Sequence, residues 1–88
     1  MATTYPPSLR QMFLPPMPVP AKLRGFKLIA RFDVDSTGRA TLLQFTPSPD
    51  GDYNKRLRAT LVAVKFRPAI RSDSVPVRDT VDIEYSFF

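Results

Sequence analysis

The 88-residue chain is short enough to form one small domain, and its 13 Lys+Arg against 8 Asp+Glu leave a formal net charge of +5. It contains no cysteine, histidine or tryptophan. That excludes a disulfide framework, a thiolate or imidazole metal site, a cysteine nucleophile and a histidine base. Any catalysis would rest on carboxylates, hydroxyls and amines, so the expectation is a non-enzymatic domain without a cofactor.

Six of the ten prolines fall within the first 20 residues: Pro6, Pro7, Pro15, Pro16, Pro18 and Pro20. Proline fixes φ and removes a backbone donor, so residues 1–21 read as a proline-rich extended arm rather than a helix or central strand. Leu9, Met12, Phe13, Leu14, Met17 and Val19 make the arm too apolar for a purely solvated linker. Part of it is expected to lie back on the domain, with the Met12 and Met17 region covering an apolar surface. No apolar run reaches the roughly 20 residues that span a bilayer, and no basic-then-apolar leader opens the chain.

Residues 22–88 read as the domain. Phe26, Leu28, Ala30, Phe32 and Val34 alternate with Lys27, Ile29, Arg31 and Asp33, the period of a half-buried strand. Asp35-Ser36-Thr37-Gly38 predicts a turn, with Gly38 free to take positive φ. A second strand is expected over Arg39–Thr46, with Leu42, Leu43 and Phe45 as its apolar residues. Asp50 or Asp52 is suited to cap a helix over Tyr53–Val64, in which Tyr53, Leu57, Leu61 and Val64 recur at helical spacing. Pro68 bars continuation of the helix. After a polar loop, Val77, Val81, Ile83, Tyr85 and Phe87 mark the apolar side of a last strand, with Arg78, Thr80, Asp82, Glu84 and Ser86 on the other. The expected fold class is α+β: a small ββαβ domain, a three-stranded antiparallel sheet with one helix packed on one face.

Three segments, in this order, resemble the C-terminal domain of TonB-family energy transducers. They are Phe32-Asp33-Val34-Asp35 leading to Thr37-Gly38-Arg39-Ala40, then Lys65-Phe66-Arg67-Pro68-Ala69 after the helix, then Ser74-Val75-Pro76-Val77 before a strand ending Ile83-Glu84-Tyr85-Ser86-Phe87. The likeness runs from about Pro18 to Phe87. Three features depart from the family pattern: Tyr5-Pro6 lies far upstream of the first strand, so Pro18 or Pro20 stands in; Arg24 precedes Gly25 where an acid is common; Val64 replaces a tryptophan.

The resemblance implies a periplasmic protein-binding module, tethered to the inner membrane through a part outside this chain. Such a module captures the TonB box of an outer-membrane transporter by β-strand addition. It transmits energy from the ExbB/ExbD motor for nutrient uptake. By this analogy the peptide-pairing strand is Thr80, Val81, Asp82, Ile83, Glu84, Tyr85, Ser86 and Phe87, flanked by Pro18, Val19, Pro20, Ala21, Lys22 and Leu23. If the sheet order follows the chain, this last strand is an edge, and an open edge is a template for another strand. The same edge offers a second reading, self-association into a homodimer.

A third reading, nucleic-acid binding through Arg24, Arg31, Arg39, Arg56, Arg58, Lys65, Arg67, Arg71 and Arg78, is not expected, because these cations are scattered over every element. Asp33 and Asp35 are expected to close the hairpin turn rather than to act as an acid–base pair. Asp50-Gly51-Asp52 lacks the later ligands of a calcium loop and reads as a cap. Tyr85 and Phe87 are expected to pack in the core or along the edge.

Overall fold

The computed structural model describes residues 3–88, leaving Met1 and Ala2 of the arm outside the described residues. In chain order it places strands β1 (Thr4–Tyr5) and β2 (Ser8–Leu9), a single 3-10 turn over Ala21–Leu23, then β3 (Lys27–Val34) and β4 (Ala40–Phe45). Helix α1 (Gly51–Val62) follows, and then β5 (Phe66–Arg67), β6 (Ala69–Arg71), β7 (Pro76–Val77) and β8 (Asp79–Ser86). The α+β class holds, but the strands form three antiparallel sheets where one was expected: the main three-stranded sheet, a second three-stranded sheet of short strands, β1-β6-β7, and the two-stranded β2-β5.

The main sheet runs in the order β4-β3-β8, all antiparallel. Sheet order therefore does not follow the chain. The crossover through α1 carries the last strand to the free side of β3, so the first strand of the sheet becomes its centre. Its even-numbered residues Leu28, Ala30, Phe32 and Val34 are buried. Tyr53, Leu57 and Leu61 of α1 and Phe66 of β5 join them in one core. In β4 a bulge opposite Arg31 and Phe32 leaves Leu43 unpaired. The extra residue turns both Leu42 and Phe45, three apart, toward the core, and sends Leu43 out to 51% exposure.

The helix starts and stops two residues earlier than its spacing suggested. Asp50 is the cap, and its carboxylate accepts the Tyr53 N–H at 3.0 Å. That bond, more than the nearby Lys22, holds the Asp50 carboxyl below its usual range. Behind it, Ser48 and Asn54 exchange hydrogen bonds: Asn54 Oδ1 accepts from the Ser48 N–H at 2.8 Å, and the Asn54 amide donates to the Ser48 carbonyl at 3.1 Å. At the other end α1 stops well before Pro68, because residues 66–71 are claimed by strand pairing with the arm.

That pairing was not foreseen, either in the arm or in the polar loop. Thr4 and Tyr5 pair with Arg71 and Ile70, and Ser8 and Leu9 with Arg67 and Phe66. The two short pairs share one register, so Pro7 falls opposite Pro68. Two residues without N–H donors meet at the gap that splits one ladder into two. β7 adds to β6 across a turn in which Ser74 takes φ 66°, and the Asp73 carboxylate accepts the Val75 N–H at 3.3 Å. This outlying ribbon stretches the molecule to 47 × 20 × 19 Å. Its radius of gyration is 14.5 Å, against about 12 Å for a compact chain of this length.

Beyond β2 the arm folds back, as its apolar content suggested, although the covering residue is not a methionine. Phe13 is buried edge-on against Tyr85, with ring centroids 5.6 Å apart, whereas Met12 and Met17 are exposed at 81% and 75%. The arm is fastened by backbone acceptors: the Tyr53 hydroxyl donates to the Pro16 carbonyl at 2.7 Å and Arg56 to the Met17 carbonyl at 2.6 Å. Phe13→Ala should cost about 3 kcal/mol in urea denaturation, near the low end for a buried phenylalanine. A loss below about 1 kcal/mol would mean that the arm does not stabilise the core.

Candidate strand-docking edge

β8 is eight residues long, without a bulge, and pairs among the described residues only with β3. The hydrogen-bond phase of this pair is set at its end, where the Phe87 N–H donates to the Phe26 carbonyl at 2.9 Å and the Phe87 carbonyl accepts from Gly25 at 2.8 Å. On the other side of β3, the Thr46 N–H donates to the Ile29 carbonyl at 2.9 Å. Backbone groups alternate along an antiparallel strand. Hence Val81, Ile83 and Tyr85 spend theirs on β3, and Thr80, Asp82, Glu84 and Ser86 aim theirs outward. The Thr80 N–H is met by the adjacent Asp79 carboxylate at 2.8 Å. Phe87, at the end of the pairing segment expected from sequence, is committed by both backbone groups and has a buried ring. The open row is therefore Asp82, Glu84 and Ser86, with the Thr80 carbonyl.

Charges on an edge normally deter pairing. Here they are engaged from within the sheet. Arg31 grips Asp82 through two bonds, at 2.9 and 3.3 Å, and Lys27 lies 3.2 Å from Glu84. The hydrogen bond from Arg31 holds the Asp82 carboxyl below its usual range. Opposite β8, the β4 edge is broken by the bulge at Leu43, so the sheet has one regular edge and one irregular edge.

Beside the far end of β8 lies an apolar groove of about 510 Å³, bordered by Leu14, Pro15, Met17, Val19, Tyr85 and the two terminal phenylalanines. Of the segment expected to flank the site, Val19 lines this groove. Leu23 is buried nearby, and its carbonyl accepts the Phe26 N–H at 2.9 Å. Lys22 turns away to Asp50, at 3.6 Å. Pro20 and Ala21 serve the 3-10 turn, where their carbonyls accept from Leu23 and Arg24. The cis Met17–Pro18 peptide leads the chain into this segment. Sequence named Leu14 only among the arm's apolar residues and did not name Phe88; the run Met12-Phe13-Leu14 is apolar throughout, so nothing in it marks that Phe13 turns in while its neighbours turn out.

The other candidates are accounted for by local structure. Asp35 closes its turn, accepting from the Thr37 hydroxyl at 2.6 Å and from the N–H groups of Thr37 and Arg39 at 2.9 and 3.0 Å. The Thr37 hydroxyl is the main reason its carboxyl lies below the usual range. Asp33, expected to join that turn, instead binds Arg78 across the sheet through two bonds: it shares the face of Asp35 but lies two residues before the turn, where the start of β8 brings Arg78 alongside. Among the described residues no group of three or more acidic side chains is arranged to hold a metal ion, and no helix is long and apolar enough to cross a membrane.

Neither a protein-family model nor a curated protein matches the chain.

Proposed function

We propose that this domain captures an extended peptide by β-strand addition along β8, as the C-terminal domains of TonB-type transducers capture the TonB box of an outer-membrane transporter. The observation that carries the reading is the outward backbone row of Asp82, Glu84 and Ser86 on a regular edge whose charges are already paired. Main-chain hydrogen bonds supply affinity with little demand on side chains. Several such bonds load together when the added strand is pulled along its length, which suits a module that passes force from an inner-membrane motor of the ExbB/ExbD kind. In this reading the domain works in the periplasm, tethered through a part outside this chain, and serves nutrient uptake.

Amide-resolved NMR titration with synthetic TonB-box peptides tests it. The expected result is a set of shifts clustered on Thr80–Phe87, lost when a proline is placed in the middle of the peptide. The Glu84→Pro variant removes one outward N–H at a position where an edge strand tolerates proline, and should weaken binding at least about tenfold. An absence of shifts at millimolar peptide would overturn transporter capture. If the mass instead rises with protein concentration and Glu84→Pro suppresses the rise, the edge serves self-association.

A further inference from the structure

Five of the thirteen Lys and Arg side chains stand in ion pairs among the described residues: Lys22, Lys27, Arg31, Arg71 and Arg78. Three of the others converge from separate parts of the chain. Arg10 comes from the arm, Arg39 from the β3–β4 turn and Lys65 from the exit of α1, and together they border one groove of about 600 Å³. The Arg10 N–H donates to the Lys65 carbonyl at 3.0 Å, which holds arm and helix exit side by side. A second groove of similar size shares Arg10, Ala63, Val64 and Lys65 and continues toward Met12 and Leu14.

The floor of this trough is apolar: Val62 is 58% exposed, and Ala63 and Val64 lie beside it. Among the described residues no carboxylate borders either groove. Asp35, held ionised chiefly by the Thr37 hydroxyl and least by the Arg39 charge, spends one oxygen on three donors of its own turn. The carbonyls at the end of α1 attract cations, but these three side chains donate no hydrogen bond to any described group. The last turn is closed by backbone donors, Ala63 N–H to Thr60 and Val64 N–H to Leu61.

We infer that this trough is a second peptide site, which takes an extended acidic segment whose carboxylates meet Arg10, Arg39 and Lys65 and whose apolar side chains lie on Val62–Val64. Opposite charge and an apolar floor together select an acidic–aliphatic peptide. A duplex nucleic acid, held through its phosphates, would leave the apolar floor unused; a single strand would stack on exposed aromatic faces, and the two phenylalanines bordering the trough, Phe13 and Phe66, are buried. The trough shares no residue with β8, so it stands apart from the strand-addition reading.

The test is fluorescence anisotropy with a short labelled peptide alternating glutamate and leucine, compared with glutamate–serine and lysine–leucine peptides. The glutamate–leucine peptide should bind best. The double reversal Arg10→Glu with Lys65→Glu should weaken it about tenfold, and Arg39→Gln should weaken it less. Circular dichroism confirms that each variant is folded, and Arg39→Gln alone decides the matter if the double variant is not. Equal binding of the glutamate–serine peptide, no response to the charge variants, or loss of binding in Glu84→Pro would each overturn the proposal. So would preferential binding to phosphatidylglycerol vesicles that the peptide cannot displace.

Discussion

Replacing Phe32 by alanine is expected to destabilise the domain by about 4 kcal/mol, within the usual range for a buried phenylalanine. Phe32 sits on the central strand, registered opposite Leu42 of β4 and Val81 of β8, and its ring centroid lies 4.9 Å from that of Phe66. Few neighbours can collapse into the space, because strands hold it on both sides and α1 packs across the same face. A chain of this size has roughly 4–13 kcal/mol of stability in total, so the variant should be partly unfolded or close to it. Urea denaturation followed by far-ultraviolet circular dichroism measures the loss. Ile29→Ala is the control: it lies on the same strand but on the open face, is 38% exposed, and should cost less than about 1 kcal/mol. Equal losses at the two positions would overturn the assignment of the buried face.

Gly38→Ala is expected to cost about 3 kcal/mol, combining a strained backbone with a steric contact. Gly38 adopts φ 92°, where a side chain is disfavoured, and an added Cβ would lie 2.7 Å from the Phe66 carbonyl oxygen. That neighbour is backbone held in a strand pair with the arm, so it has little freedom to withdraw. The melting temperature should fall by roughly 12–24 °C. Gly51→Ala is the matched control: Gly51 is the first residue of α1 and has open space around it, and alanine there should be neutral or slightly stabilising. Similar melting temperatures for the two variants would show that the turn does not press on β5. Because Gly38 also borders the cationic trough, Gly38→Ala should disturb peptide binding there before it disturbs β8.

These predictions separate two kinds of surface. On β8 the ligand would meet backbone groups, so side-chain substitutions on the open face should change affinity little, whereas a lost N–H should matter. In the trough the ligand would meet charges and an apolar floor, so binding should fall with salt and with charge reversal. Salt dependence and proline sensitivity thus distinguish the two sites in one preparation.

Much of the domain was legible because strands and helices impose local periods. Along residues 27–34 every odd position except Ile29 is charged, and the even positions are those the fold buries. Tyr53, Leu57 and Leu61 mark the helix face, and the Asp50 cap and the Asp35 turn act within a few residues of themselves. Leu42 and Phe45 were less legible, since a bulge breaks the period they would otherwise follow.

Other features depend on residues far apart in the chain, and no local pattern encodes them. The arm became a strand partner because residues 66–71, which read as a helix exit and a polar loop, offered it a register in which the prolines face each other. Asp33 found Arg78, 45 positions away, once β8 lay beside β3. The order β4-β3-β8 followed from the side to which α1 carries the chain, and that choice left β8 with an open edge. Composition excluded thiol and imidazole chemistry, and alternation assigned the faces of the strands. Only tertiary packing decided which edge stays open and which cations come together, because both depend on long-range contacts between segments that have no common period.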